Sequence, residues 1–295
     1  MVAFKTWSAP PSLTPAYLRA LLSARKRNVL AANTSVPRLE VVLGPQRPDG
    51  QMLAKYRKLC GFVDGPTLPL TYPQVLAGPL HIYLLTEPDF PLPALGVVHA
   101  RQTIEQLQPI GIQDPLALRA WVEGHREVSN GAEIDIHTEA TLHDLVVWRS
   151  VTTVFCRSKT KGKGETKPKP PNSSIIPHRS LLLRLPEDLG RRYSQLAGDY
   201  NPIHLHAISA KLFGFRRAIA HGMWTLARAV AEVQQDVTAT ELQLQAQFKR
   251  PIFLPGKAVL AATRNDSAID FTLESPDGAS TYLAGRLAPL AQPNQ

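Results

Sequence analysis

Cysteine is nearly missing from this chain: Cys60 and Cys156 are the only two among 295 residues. Two cysteines cannot build a disulfide framework, and neither stands in a CxxC or Cys/His spacing, so neither a stapled secreted scaffold nor a structural metal site is expected. A reducing, intracellular setting follows, with the cytoplasm as the expected location. Long apolar blocks are missing too. The longest uncharged run, 66–86, is broken by Pro66, Pro69, Pro73, Pro79 and His81, whereas a membrane-spanning helix needs about 20 predominantly apolar residues; the run reads as buried core. The opening Met-Val-Ala-Phe-Lys lacks the basic, apolar and small-residue succession of a signal peptide.

The formal charge of +9 is unevenly spread. Arg157, Lys159, Lys161, Lys163, Lys167 and Lys169 face a single acid, Glu165, so 157–170 alone carries +5. No aromatic is interleaved with these residues and no apolar periodicity sets them on a folded face, so nucleic acid is not an expected partner. Such a composition cannot bury enough surface to order itself. The segment 157–178 therefore reads as an exposed basic, Pro-rich linker between a first domain, 1–156, and a second, 179–295.

The two flanks resemble each other weakly and in order. Tyr56-Arg-Lys-Leu-Cys-Gly61-Phe62 parallels Tyr193-Ser-Gln-Leu-Ala-Gly198-Asp199 at an offset of 137; Ala77-Gly78-Pro79-Leu80 parallels His221-Gly222-Met223-Trp224 at 144; Gln108-Pro109-Ile110 parallels Arg250-Pro251-Ile252. The extra seven residues in the second copy fall where Asn201 and His204 stand. Alternating segments follow in each half: 96–106, 116–124, 132–140 and 144–155, then 242–248, 257–263, 268–273 and 280–286. They read as antiparallel strands. The spans 72–85 and 219–233, apolar over most of their circumference, read as helices that a sheet must cover, with Gly78-Pro79 fitting a helix start.

Chemistry concentrates in one stretch. Asp199, Asn201 and His204 lie within six residues, between Gly198 and the Asn201-Pro202 turn, and Ile219-Ala-His221-Gly222-Met223 follows shortly after. Taken singly, the aspartate suits a turn or a cap and the histidine a structural hydrogen bond; together and in this order they suit acid–base work.

This string is similar, residue by residue, to the hydratase signature of the MaoC-like, hot-dog-fold enoyl-thioester hydratases and dehydratases: Tyr193, Gly198-Asp199, Asn201-Pro202, Ile203, His204 and the small Ala210. The resemblance implies an α+β double hot-dog, in which two curved antiparallel sheets each wrap a central apolar helix. It implies a lyase that interconverts (R)-3-hydroxyacyl and trans-2-enoyl thioesters without metal or other cofactor. Asp199 and His204 would be the acid–base pair on one water, with Asn201 holding the water or the loop. Which of the two first takes the proton is left open. The thioester oxygen would meet a backbone N–H at Gly222, where a helix start offers unpaired donors and the positive end of its dipole; His221 beside it is a second candidate for the oxyanion or substrate-binding site, its structural alternative being to shape the helix entrance.

Phe62 stands where Asp199 stands in the other half, so one productive site per chain is expected. The first half would then complete an acyl pocket with apolar residues such as Phe62, Leu70, Tyr72 and Leu76. Arg216, Arg217, Lys249 and Arg250 are candidates for the phosphates of coenzyme A or the acidic surface of acyl carrier protein; His206 reads as surface or structural. The expected partners are an acyl-CoA or acyl carrier protein thioester and, for assembly, a second copy in a homodimer. The basic linker and the Leu68-Pro-Leu-Thr-Tyr-Pro73 string resemble the dehydratases of bacterial fatty-acid elongation. The alternatives are an (R)-specific enoyl-CoA hydratase of β-oxidation or polyester-precursor supply, an inactive hot-dog acyl-thioester binding protein, and a thioesterase.

Overall fold

Leu116-Ala-Leu-Arg-Ala-Trp-Val alternates large apolar residues with others, and in the computed structural model Leu116, Leu118, Ala120 and Val122 are all buried on one face of a strand. The same two-residue period recurs along most of the sheet. The structure describes residues 3–23, 36–94, 97–128, 131–157 and 177–291; most of the basic linker, 158–176, lies outside the described residues. The strands are β1 (Ala3–Trp7), β2 (Leu39–Gln46), β3 (Val98–Gln106), β4 (Leu116–Val122), β5 (Arg126–Val128), β6 (Gly131–Leu142), β7 (Leu145–Arg157), β8 (Arg179–Leu185), β9 (Leu242–Phe248), β10 (Gly256–Asn265), β11 (Ala268–Glu274) and β12 (Thr281–Pro289). The helices are α1 (Leu13–Ser23), α2 (Gly50–Cys60), α3 (Tyr72–Thr86), α4 (Leu189–Ala197), α5 (Ala207–Lys211) and α6 (Gly222–Val233).

The strands form one sheet in the order β1-β2-β4-β6-β7-β3-β9-β12-β11-β10-β8, with β5 paired to β6. All its pairings are antiparallel except β1 with β2. Outward from the centre, β3-β7-β6-β4-β2 is matched by β9-β12-β11-β10-β8, each strand by its counterpart in chain order. The halves join where β3 pairs with β9, from Arg101 opposite Gln247 to Gln106 opposite Leu242. Helix α3 packs on β2, β4 and β6, and α6 on β11 and β12. Each half is thus a helix lying on its own run of antiparallel strands, the double hot-dog arrangement, and one continuous apolar core runs through both. None of the helices of the described residues is long and apolar enough to cross a membrane.

The internal repeat is real, but one alignment within it is corrected. Gly61 and Gly198 close α2 and α4 in the same left-handed conformation (φ 83° and 69°), which a residue without Cβ adopts freely, so the offset of 137 holds there. Beyond it, Thr67 bridges Gly111 as Ile219 bridges Phe253, and Leu68 N–H donates to Ile110 C=O (2.8 Å) as Ala220 N–H donates to Ile252 C=O (2.9 Å). The offset across this step is 152, not 144, and the second half carries an insertion of 15 residues rather than seven. Gly78-Pro79 is accordingly no helix start: α3 begins at Tyr72 with a proline in its first turn, and Pro79 lies inside it. Gly78 is needed for close approach instead, since a Cβ there would sit 2.7 Å from the Ala197 carbonyl oxygen at the end of α4.

Candidate active site

The insertion builds the site. Helix α4 ends at Gly198, whose N–H donates to Ser194 C=O (2.8 Å), and the left-handed turn there sends the chain out at Asp199. The Asp199 Oδ1 accepts from Asn201 N–H (3.1 Å), Asn201 Oδ1 accepts from Ile203 N–H (3.4 Å), and Pro202–His204 forms a single 3₁₀ turn. Two consecutive side-chain-to-backbone links of this kind fix a loop locally, and proline in the first turn presets its φ. Asn201 therefore holds the loop with its own carbonyl. Ile203 and His204 are buried. The loop is clamped from outside as well, because Ile219 N–H donates to Ile203 C=O (3.0 Å).

His204 Nδ1 lies 2.8 Å from the Ile219 carbonyl oxygen. A carbonyl only accepts, so Nδ1 carries the proton and the neutral ring keeps its lone pair on Nε2. That nitrogen is 4.0 Å from Asp199 Oδ2. His221, at the start of α6, places Nε2 3.8 Å from the same oxygen and 3.0 Å from the Asp199 carbonyl oxygen, to which it donates; its Nδ1 is buried without a hydrogen-bond partner among the described residues. Asp199, His204 and His221 each bring one potential donor atom within 4.8 Å of the others. With His221 Nε2–H directed at a carbonyl, this set amounts to one carboxylate and one imidazole lone pair.

The Asp199 side chain keeps 43% of its surface accessible, because it faces an open cavity of about 360 Å³. Burial pushes its carboxyl up, but the opposing influence of His221, His204 and the Asn201 N–H holds it below the usual carboxylate range. Burial pushes His204 below the usual imidazole value, and the Asp199 carboxylate offsets part of that. His221 is driven down to about 3 by burial and by its neighbour His204. At neutral pH the site thus holds an ionised carboxylate beside two neutral imidazoles.

The cavity is lined from both halves. Asp199, Asn201, His204, His221 and Gly222 are brought together on its wall, with Lys249 and Arg250 also lining it. Arg216 and Arg217 do not line it; their guanidinium groups sit over the Phe253 ring at 4.3 and 5.7 Å. Phe62, Tyr72 and Leu76 are likewise outside the lining. Phe62 and Tyr72 pack against Tyr56, and Leu76 against the core. A helix presents different faces every residue, and the residues of α3 that face the cavity are Gln74, Val75, Gly78, His81, Ile82, Leu85 and Thr86.

The first-half wall is therefore less apolar than expected. Gln74 Nε2 contacts His81 Nδ1 (3.3 Å) and donates to Thr152 Oγ1 (3.2 Å), Ser150 Oγ donates to Gln74 Oε1 (2.9 Å), and His81 Nε2 lies 2.7 Å from Thr138 Oγ1. These buried groups satisfy one another, which is what makes them tolerable there. His99, from β3, packs against Phe248 with ring centroids 4.4 Å apart and planes inclined by 47°, and Phe248 in turn fills the space a side chain at position 222 would need, 3.1 Å from a Cβ built there. His81 stands in the sequence as the lone histidine of an apolar helix; nothing local marks His99, or Tyr17 from α1, as cavity residues.

Comparison with known proteins gives the arrangement a lineage. Residues 164–284 match the family described as "MaoC like domain". The chain is 34% identical over 263 residues to 3-hydroxyacyl-thioester dehydratase X of Mycobacterium tuberculosis, spanning 88% of this chain and 94% of that protein. The crystal structure of that protein, HtdX, superposes with a TM-score of 0.75 at 31% identity, covering 85% of this chain and all of that one. Peroxisomal enoyl-CoA hydratase 2 of Arabidopsis thaliana is 26% identical over 191 residues, 59% of this chain and 61% of that protein. A Mycobacterium tuberculosis protein described as a double hot-dog superposes at a TM-score of 0.54 with 12% identity, covering 84% of this chain and 95% of that one, a likeness of fold alone. With a catalytic-type loop built on the second of two matched halves, and a full-length relative above 30% identity, the chain belongs to the MaoC-like, double-hot-dog family of hydratases and dehydratases.

Proposed function

We propose that the protein interconverts (R)-3-hydroxyacyl and trans-2-enoyl thioesters by syn elimination and addition of water at one site per chain, formed by Asp199, His204 and Asn201 of the second half. The observation that carries this reading is the His204 tautomer: Nδ1–H is committed to Ile219 C=O at 2.8 Å, so Nε2, 4.0 Å from the Asp199 carboxylate, is a free base. With its Nε2 unprotonated and directed towards the Asp199 carboxylate, His204 takes the substrate's α-proton. The imidazolium formed is stabilised by the Asp199 anion beside it and returns the proton to the departing hydroxyl. Both transfers use one group on one side of the cavity, which makes the elimination syn. Addition of water runs the same steps backwards, with Asp199 and His204 sharing the water.

Charge gathers on the thioester oxygen as the α-proton leaves. Its donor is the backbone N–H of Gly222, at the positive end of α6; His221 caps that end without a side-chain hydrogen bond, which leaves the first-turn donors to the substrate. The first half contributes no acid or base at the Phe62 position and completes the cavity with Val75, Ile82, Leu85, Ile136 and Val154, so 1–156 and 179–295 act as pocket and catalytic domains. Lys249 and Arg250 at the cavity wall are the cations we assign to the phosphates of coenzyme A or of an acyl carrier protein. The dehydrating direction, in fatty-acid synthesis or elongation, is favoured by the likeness to the dehydratase of M. tuberculosis. Two buried free thiols, Cys60 and Cys156, fit a cytoplasmic setting.

The test is loss of the enoyl-thioester absorbance with crotonyl-, octenoyl- and longer 2-enoyl-coenzyme A. Asp199→Asn and His204→Ala should each lower turnover by about two to four orders of magnitude with unchanged melting curves. Turnover like that of the unmodified protein in either variant would sink the assignment.

A further inference from the structure

Asp199 is held from outside its own loop. The phenol of Tyr17, on α1 at the opposite end of the chain, donates to the Gly198 carbonyl oxygen at 2.6 Å and accepts from the Tyr200 N–H at 2.6 Å. These are the backbone groups immediately before and after Asp199. The Tyr17 ring meets the Tyr200 ring edge to face at 6.0 Å. Leu13, a turn earlier on α1, lies so close to Gly198 that a Cβ there would be 2.8 Å from its Cδ1. Helix α1 itself rests on α3 of the first half, and Tyr17 and Ala20 line the cavity.

We infer that Tyr17 is a positioning residue for the reaction, fixing the backbone on both sides of Asp199 so that its carboxylate stays within reach of His204. One hydroxyl spends its proton on one strand of the loop and a lone pair on the other, so it staples the loop and has no proton left for the substrate. Burial pushes the phenol's pKa up, which keeps it a protonated donor throughout the working range. The Asp199-to-His204 separation of 4.0 Å is set by a loop whose N-terminal end is held by the Gly198 cap, by the His221 hydrogen bond to the Asp199 carbonyl and, across both peptides flanking Asp199, by Tyr17. Displacements of about 1 Å in such a pair are worth up to roughly a hundredfold in rate.

This rests on Asp199 acting in the reaction, and the experiment separates the two. Tyr17→Phe keeps the ring and its contact with Tyr200 and removes only the hydroxyl. In the full chain, we expect kcat to fall roughly 10- to 100-fold, KM to change little, and the melting temperature to stay near that of the unmodified protein. In the Asp199→Asn background the same substitution should cause no further loss, because a residue that works through the carboxylate has nothing left to position. An unchanged kcat for Tyr17→Phe, a loss of kcat matched by a large fall in melting temperature, or an equal proportional loss in both backgrounds would overturn the inference. If Asp199→Asn itself is fully active, the fault lies with the proposed function and not with Tyr17.

Discussion

The imidazole of His204 lies nearly face to face with that of His221, ring centroids 3.7 Å apart and planes inclined by 25°. Two stacked rings at this distance cannot both carry a proton cheaply, and the more deeply buried His221, 3% exposed, is the one that stays neutral, with its pKa at about 3. On the proposed mechanism His221 supports Asp199 and His204 without reacting itself: it packs on His204 and donates to the backbone of Asp199. His221→Phe, which keeps an aromatic ring and loses the N–H, should lower turnover by roughly tenfold, the worth of one hydrogen bond to the loop. Steady-state kinetics check this; a loss as large as that of His204→Ala would make His221 a reacting base instead.

The rate should depend on pH on one side only. On the proposed mechanism His204 must be neutral to act as base; its pKa lies below the usual imidazole value of 6.5, and the Asp199 carboxyl is held below its own usual range. The profile of kcat/KM for dehydration should be level around neutrality and fall on the acid side with a midpoint below 6.5. Because the Asp199 carboxylate raises the His204 pKa, an NMR titration of His204 in Asp199→Asn should show a lower value than in the unmodified protein. A higher one would contradict the coupling.

Stability should also weaken towards acid. His81 and His221 are buried and both titrate at about 3 in the folded chain, against about 6.5 when unfolded. Between those values the unfolded chain binds more protons, so the stabilisation is complete above pH 6.5 and is lost as pH falls towards 3. Each such histidine contributes a slope of up to about 1.4 kcal/mol per pH unit. Urea midpoints measured from pH 7 to pH 4 should fall steadily, and His81→Gln, which cannot charge, should make the decline shallower. An unaltered slope would show that His81 titrates normally.

A glycine outside the signature should matter to the site. A Cβ at Gly190, on α4, would stand 1.9 Å from the His204 carbonyl oxygen, and backbone cannot swing aside as a side-chain end can. Gly190→Ala should cost about 1–3 kcal/mol through overpacking and depress turnover by displacing the His204 turn. Gly50→Ala, where a Cβ meets nothing within 4 Å, is the control for both readouts, denaturant unfolding and rate. Equal behaviour of the two variants would mean that α4 and the loop part without cost.

What could be read in the sequence was what the chain settles locally. Strand alternation and the two apolar helix spans were legible because burial on one face imposes a period of two or 3.6 residues. The loop from Gly198 to His204 was legible because its shape comes from its own Asp, Asn and Pro links and from a left-handed glycine. The apolar lining was misplaced for the complementary reason. Phe62, Tyr72 and Leu76 are as apolar as Val75, Ile82 and Leu85, and only the rotation of α3 against its sheet and against α4, permitted at Gly78, decides which of them face the cavity. The repeat could be seen, but its second offset could not. The matching bridges, Thr67 to Gly111 and Ile219 to Phe253, join segments more than thirty residues apart, where a weak likeness at Gly78 was the stronger textual signal. Tyr17 left no trace in the sequence at all: its partners lie more than 180 residues away, and it reaches them because the N-terminal helix α1, resting on α3, is carried across to the catalytic loop. The sequence by itself determined which side chains the loop from Gly198 to His204 presents; the tertiary structure decided what holds them, since a side chain's chemistry is written in its own residue but its distance to a partner depends on everything packed around both.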